Sequence, residues 1–246
     1  MSFCSILRHM KSKELLVKYS LEFFVIVLGI SVSFWLNQIA VERAHEKERI
    51  KVLQSLHTEL DEIDKYCSER KDNYLDDINI LKALLDEDFH PDQFEGLTTS
   101  KSRVEFVLTY YRVFEPPMNQ YQSVIHAGAL KYVKSQKVNE KLGQLHNTFL
   151  RYMQTSVNYE TGLKQSFTPF LTLEHPALLL AREQNSVGFD SYVTMLNSAI
   201  SQDDRFAANM KLLTSYLENK LYFLKLYENI LSELDEILVQ ELDDQL

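Results

Sequence analysis

Two Glu-x-x-His motifs, Glu42 with His45 and Glu87 with His90, are the residues in this 246-residue chain whose spacing best suits a metal ion. At a spacing of three, carboxylate and imidazole share one helical face. Two such motifs on neighbouring helices, with two further carboxylates, build di-iron sites in helical bundles. Here both motifs fall on one predicted helix, about 65 Å apart at 1.5 Å per residue, so they cannot share an ion and read as solvated helix ends. His57 and Asp61, spaced by four, read as a surface pair. The run Glu59, Asp61, Glu62 and Asp64 reads as a solvated acidic face. Neither HExxH nor CxxC occurs, and no G-x-S-x-G or glycine-rich phosphate loop is present. Cys67 sits among apolar residues and reads as a small core side chain rather than a nucleophile. The sequence therefore calls for no metal, no cofactor and no catalytic residue.

The elements that would carry these residues are helical. Six glycines and five prolines are too few for the turns of a β fold, and the absence of alternating strands predicts an all-α chain. With a formal charge of −9, binding to nucleic acid is not expected. The charge is unevenly placed. Residues 1–18 carry a balance of +3 from Arg8, Lys11, Lys13 and Lys18 against Glu14, whereas residues 42–246 hold 22 basic and 33 acidic side chains, a balance of −11.

Between these blocks Phe23 to Val41 contains no charge at all. As a helix this run spans about 28 Å, close to the roughly 30 Å of a bilayer's hydrocarbon core. Tyr19 and Trp35 lie near its ends, as interfacial aromatics do. A cleaved signal peptide fits less well, because Ser31 and Ser33 make a poor cleavage site and apolar residues continue past them. A soluble core helix would show a polar face over five turns. The expected organisation is a basic cytoplasmic tail (1–18), a transmembrane helix (19–41) and a helical bundle domain (42–246) outside the cytoplasm, in the inner (plasma) membrane. Lysine and arginine counts on the two sides are equal, so the orientation rests on the short tail being easily retained inside. Glu22 at the boundary, Asn37 within the run, and Gly29 with Ser33 as a small-xxx-small pair are the candidate membrane-helix contacts.

Beyond the span, Leu53, Leu56, Leu60, Ile63 and Cys67 recur at spacings of 3, 4, 3 and 4, an a/d seam. Tyr74, Leu81 and Leu84 continue it, with Arg70 and Asp77 interrupting. Near the C-terminus Met210, Leu213, Leu217, Leu224, Tyr227, Leu231, Leu234 and Leu238 share a second frame, in which Lys220 is the exception. Segments 42–89 and 203–243 are expected to be long stalk helices, coiled-coil-like, with Asp203 or Asp204 capping the second. Shorter helices in 90–202 would form a small head: Ser102 to Val113, Asn119 to Ala127 closing at Gly128, Ser135 to about Phe167, Ala177 to Ala181 and Phe189 to Ile200. Phe170 to Leu173 is the least helical reading.

Two patches carry a resemblance. Tyr19, Glu22, Gly29, Asn37, Glu42 and Arg43 in order, and the stretch Tyr121 to Leu130 with Gly128 closing an apolar helix, are similar to an uncharacterised bacterial family of single-pass inner-membrane proteins. That resemblance implies an uncleaved anchor and brings no activity. The expected function is a membrane-anchored interaction or sensory module that associates with copies of itself or with another membrane protein through the span and the seam. Two other classes compete. One is a membrane-perturbing effector that oligomerises through the short span; the other is an enzyme with a site in the head near His126 or His146.

Overall fold

The computed structural model describes residues 3–243, with side chains from Val17 onward; the basic side chains Arg8, Lys11 and Lys13 and the thiol of Cys4 lie outside the described side chains. Helix α1 runs unbroken from Phe3 to Leu85, 83 residues, or about 125 Å. No glycine or proline interrupts it between Val41 and His90, so nothing stops the apolar run from continuing into the amphipathic one. It ends at Leu85, four residues before the expected limit, where Asp86 accepts from the Asp88 amide and the Gln93 side chain.

The chain returns along α8 (Asp204–Asp243). Asp203 caps this helix, accepting from the amides of Arg205 (2.8 Å) and Phe206 (3.2 Å). Cross-helix ion pairs define an antiparallel register: Arg49 with Glu241, His57 with Asp235, Lys71 with Glu228 and Lys82 with Glu218. The other side of α8 receives α5 (Leu150–Glu174). Pairing of Tyr152 with Phe223, Tyr159 with Tyr216 and Phe167 with Phe206 makes α5 antiparallel to α8 and hence co-directional with α1.

Shorter elements close the ends: α2 (Lys101–Thr109), α3 (Asn119–His126), α4 (Gln136–Gly143), α6 (Pro176–Glu183) and α7 (Phe189–Gln202). Helix α4 passes through a π-helical turn, Gln144–Phe149, into α5. Gly128 adopts φ 62, the left-handed conformation that glycine tolerates, and closes α3 as expected.

Two further boundaries differ from the sequence reading. Helix α2 stops at Thr109 rather than Val113, because the following extended segment leads into two prolines and has its backbone bonded from elsewhere. Lys164 donates to the Tyr110 carbonyl, while the Tyr66 hydroxyl donates to Val113 and accepts from the Glu115 amide. Helix α5 passes through Pro169 to Glu174, so Phe170 to Leu173 is helical. Among the described residues there is no strand.

The interior consists of two apolar cores. The first joins Val52–Tyr74 of α1, Leu224–Leu238 of α8 and the α3–α5 region; the second joins Ile78–Leu84, Phe206–Leu217 and α2, α6 and α7.

Candidate functional site

Two of the three side chains that interrupt the heptad frames, Asp77 and Lys220, lie in a polar layer between the two cores, while Arg70 lies over the Tyr66 ring. Asp77 pairs with Arg103 of α2 and, at 3.3 Å, with Arg112. Lys220 of α8 pairs with Glu160 of α5, which also accepts from Lys164 at 2.7 Å. The Lys220 ammonium further lies over the Tyr74 ring, 4.9 Å from its centroid. The result is a layer of four cationic and two carboxylate groups, contributed by α1, α2, the segment after it, α5 and α8. Lys220 is 0% and Glu160 1% exposed. Burial pushes the ammoniums of Lys164 and Lys220 down to about 7, with the carboxylate of Asp77 opposing it. The hydroxyls of Tyr74 and Ser156 and one terminal nitrogen of Arg103 are buried in the same region with no protein partner.

Amines of this basicity suit nucleophilic or base chemistry in general. Here, however, α5 and α8 close over them. Ser156 of this region lines a surface groove with Tyr159, Tyr216, Asn219 and Phe223 (about 290 Å³). In the folded chain the layer positions helices. It holds Asp77 opposite α2 and Lys220 opposite α5, and it fixes which faces of the long helices meet.

A second polar cluster lies in the first core. Glu59, expected in a solvated acidic run, is 1% exposed. Its carboxylate accepts from the amides of Gln120 (2.5 Å) and Tyr121 (3.1 Å), capping α3 from a distance. Desolvation raises its pKa despite these bonds. Tyr121 stacks on His146 at 3.8 Å between centroids, and the π-turn carries His146 inward. Burial pushes this imidazole down to about 4, and neither ring nitrogen has a hydrogen-bond partner. His126, the other histidine singled out in the head, is exposed.

The remaining motifs disperse. Glu42 accepts from Gln38, and His45 packs on the Tyr132 ring at 5.5 Å. Glu87 and His90 are exposed. His57 bonds Asp235 of α8 at 2.7 Å rather than Asp61, because its side chain points at the neighbouring helix. No group of three or more potential metal ligands occurs among the described residues.

The seam residues Leu53, Leu56, Leu60, Ile63, Cys67, Leu213, Leu217, Leu224, Leu231, Leu234 and Leu238 are all buried within the chain. The seam is therefore occupied internally and offers no surface to a second copy. Cys67 is fully buried, the small core side chain that its apolar neighbours imply, and burial pushes its thiol up to about 12.

No family model, curated protein or solved structure matches this chain.

The apolar segment of α1 contrasts with all of this. Its most apolar window has a mean hydropathy of 2.0, is long and apolar enough to cross a membrane, and is 0% buried. Phe23, Phe24, Phe34 and Trp35 are each more than 60% exposed. Ser33 donates to the Gly29 carbonyl at 2.9 Å, so its hydroxyl is satisfied within the helix. Gly29, Ser33 and Asn37 line one shallow hollow with Val25, Ile26, Ile30 and Phe34. Glu22 lies 4.0 Å from Lys18, one turn earlier.

Proposed function

We propose that this chain is a single-pass, membrane-anchored helical module that acts by association rather than by catalysis. The observation that carries this reading is the contrast along α1. From about Val52 its apolar side chains are packed into the bundle, while from Val17 to Val41 none of them is. A soluble protein leaves no contiguous apolar surface of that extent in water, and hydrocarbon is the solvent that fits it. Backbone groups in the segment are satisfied along the helix, as lipid requires. Glu22 beside Lys18 suits the headgroup boundary, where both long side chains reach water. In this reading the short basic tail stays in the cytoplasm against anionic lipid, α1 spans the inner membrane with the bundle on its outer side, and the single-pass family that the sequence resembles is the natural relative. Because the seam is filled, association falls to the face of Gly29, Ser33 and Asn37 and to the outer surface of the bundle.

The test is fractionation and topology together. Full-length protein should stay in membranes through an alkaline wash, and a reporter fused after Leu246 should be active only on the extracytoplasmic side. Release by the wash would overturn the anchor; a cytoplasmic reporter would reverse the orientation alone.

A further inference from the structure

We infer that the outward face of α5 is where a second copy of this chain docks, an inference that rests on the self-association reading above. The solvent faces of the other two long helices carry charges along their length within the bundle, with Lys65, Asp72 and Lys82 on α1 and Glu218, Lys225 and Glu236 on α8. On α5, from Tyr152 to Leu173, the only charged residues are Glu160 and Lys164, and both are buried in the ionic layer. Every exposed position over about 33 Å of helix is therefore uncharged.

This face is also drier than its composition suggests. Thr155, Thr161, Thr168 and Thr172 each turn their hydroxyl back onto a carbonyl of the same helix, at 2.8 to 2.9 Å. These hydroxyls are satisfied within the helix, so covering the threonines costs little, and the remaining exposed polar groups of the face, among them Gln154, Asn158 and Gln165, are uncharged amides that can pair across a contact. Tyr152 (46% exposed), Tyr159 (62%) and Leu173 (76%) stand among them. Depletion of charge with enrichment in tyrosine is the composition of an interface centre.

Charge selects the occupant. The region from residue 42 to 246 carries −11, so two copies repel each other least where one uncharged face meets another and the like charges lie farthest apart. A strongly charged partner would gain nothing here. Geometry agrees, because copies anchored through the same span stand side by side and α5 is co-directional with α1. A two-fold axis along that direction brings the two α5 faces together at one height, residue against the same residue.

The experiment uses the full chain in phosphatidylcholine vesicles, with Cys4→Ser and one new cysteine at Thr155 or Tyr159 on α5, or at Glu62 or Asp72 on α1 as controls. A short bis-maleimide should yield about tenfold more covalent dimer from the α5 positions than from the controls. Energy transfer between C-terminally labelled copies is read in the same vesicles, where Tyr159→Arg should abolish it and Tyr159→Phe should leave it. Transfer without α5 crosslinking, or equal crosslinking from α1, overturns this surface while leaving self-association standing. Absence of transfer overturns both.

Discussion

Lys220 of α8 and Glu160 of α5 form an ion pair from which water is excluded, in the layer that divides one apolar core from the other. Lys164, one turn from Glu160, shares the same carboxylate. Glu160 is thus the common partner of two buried ammoniums. Replacing it by glutamine leaves both without a carboxylate in contact, and Glu160→Gln should cost about 3–5 kcal/mol. Lys220→Met still leaves Glu160 paired with Lys164 and should cost less than about 2 kcal/mol. Urea unfolding of the two variants measures the difference; equal losses would contradict the shared-carboxylate arrangement.

His146 predicts an acid-sensitive fold. An unfolded chain takes up this proton near 6.5, whereas the folded chain takes it up only at about 4. Its contribution is therefore intact above 6.5 and is lost as pH falls through that window, reaching about 3 kcal/mol. His146→Phe keeps a ring stacked on Tyr121 and should remove this component of the pH dependence. Stability curves of the two proteins that stay parallel from pH 7 to pH 4 would refute it.

Cys67 predicts chemical silence. It is 0% exposed, and its thiol titrates at about 12, so almost no thiolate exists at neutral pH. A maleimide reagent should leave Cys67 unmodified in the native Cys4→Ser protein and label it rapidly in urea. Fast native labelling would mean that α1 and α8 separate readily at this point.

The apolar segment of α1, under the proposed anchoring, predicts an asymmetry between substitutions. An arginine at mid-span opposes insertion by about 3 kcal/mol. Leu28→Arg with Ile30→Arg should release the chain from membranes in an alkaline wash while its bundle stays folded by circular dichroism. Conversely, Leu60→Ala, which empties a core position, should cost about 2–5 kcal/mol of stability and leave membrane retention unchanged.

Glu59 predicts a local effect. Glu59→Ala strips the amides of Gln120 and Tyr121 of their acceptor, and should cost about 2 kcal/mol. Amide hydrogen exchange should rise first in α3, Asn119–His126; uniform acceleration across the whole bundle would mean that the cap is not local.

Much of this architecture is legible in the order of residues. The all-helical content, both long helices, the cap at Asp203, the turn at Gly128 and the membership of the apolar seam follow from spacing and turn chemistry. These depend on neighbours within one or two turns, and the chain itself carries that information. The uncharged run from Phe23 to Val41 is equally plain, and so is the fact that Asp77 and Lys220 break their heptads.

What those two residues do was decided only by the tertiary structure. A charge in an apolar frame is costly unless a partner arrives from another helix, and spacing along one helix says nothing about which face a distant helix presents. For that reason spacing alone does not assign Glu160, Arg103 and Arg112 to them, pairs His57 with Asp61 rather than Asp235, and makes Glu59 look solvated. The continuation of α5 through Pro169 was hidden in the same way, since packing outweighs local preference there. The sequence alone determined that this is a long helical chain with one apolar end. Its fold determined that the seam is spent inside the chain, and that Asp77, Glu160, Lys164 and Lys220 meet in one layer.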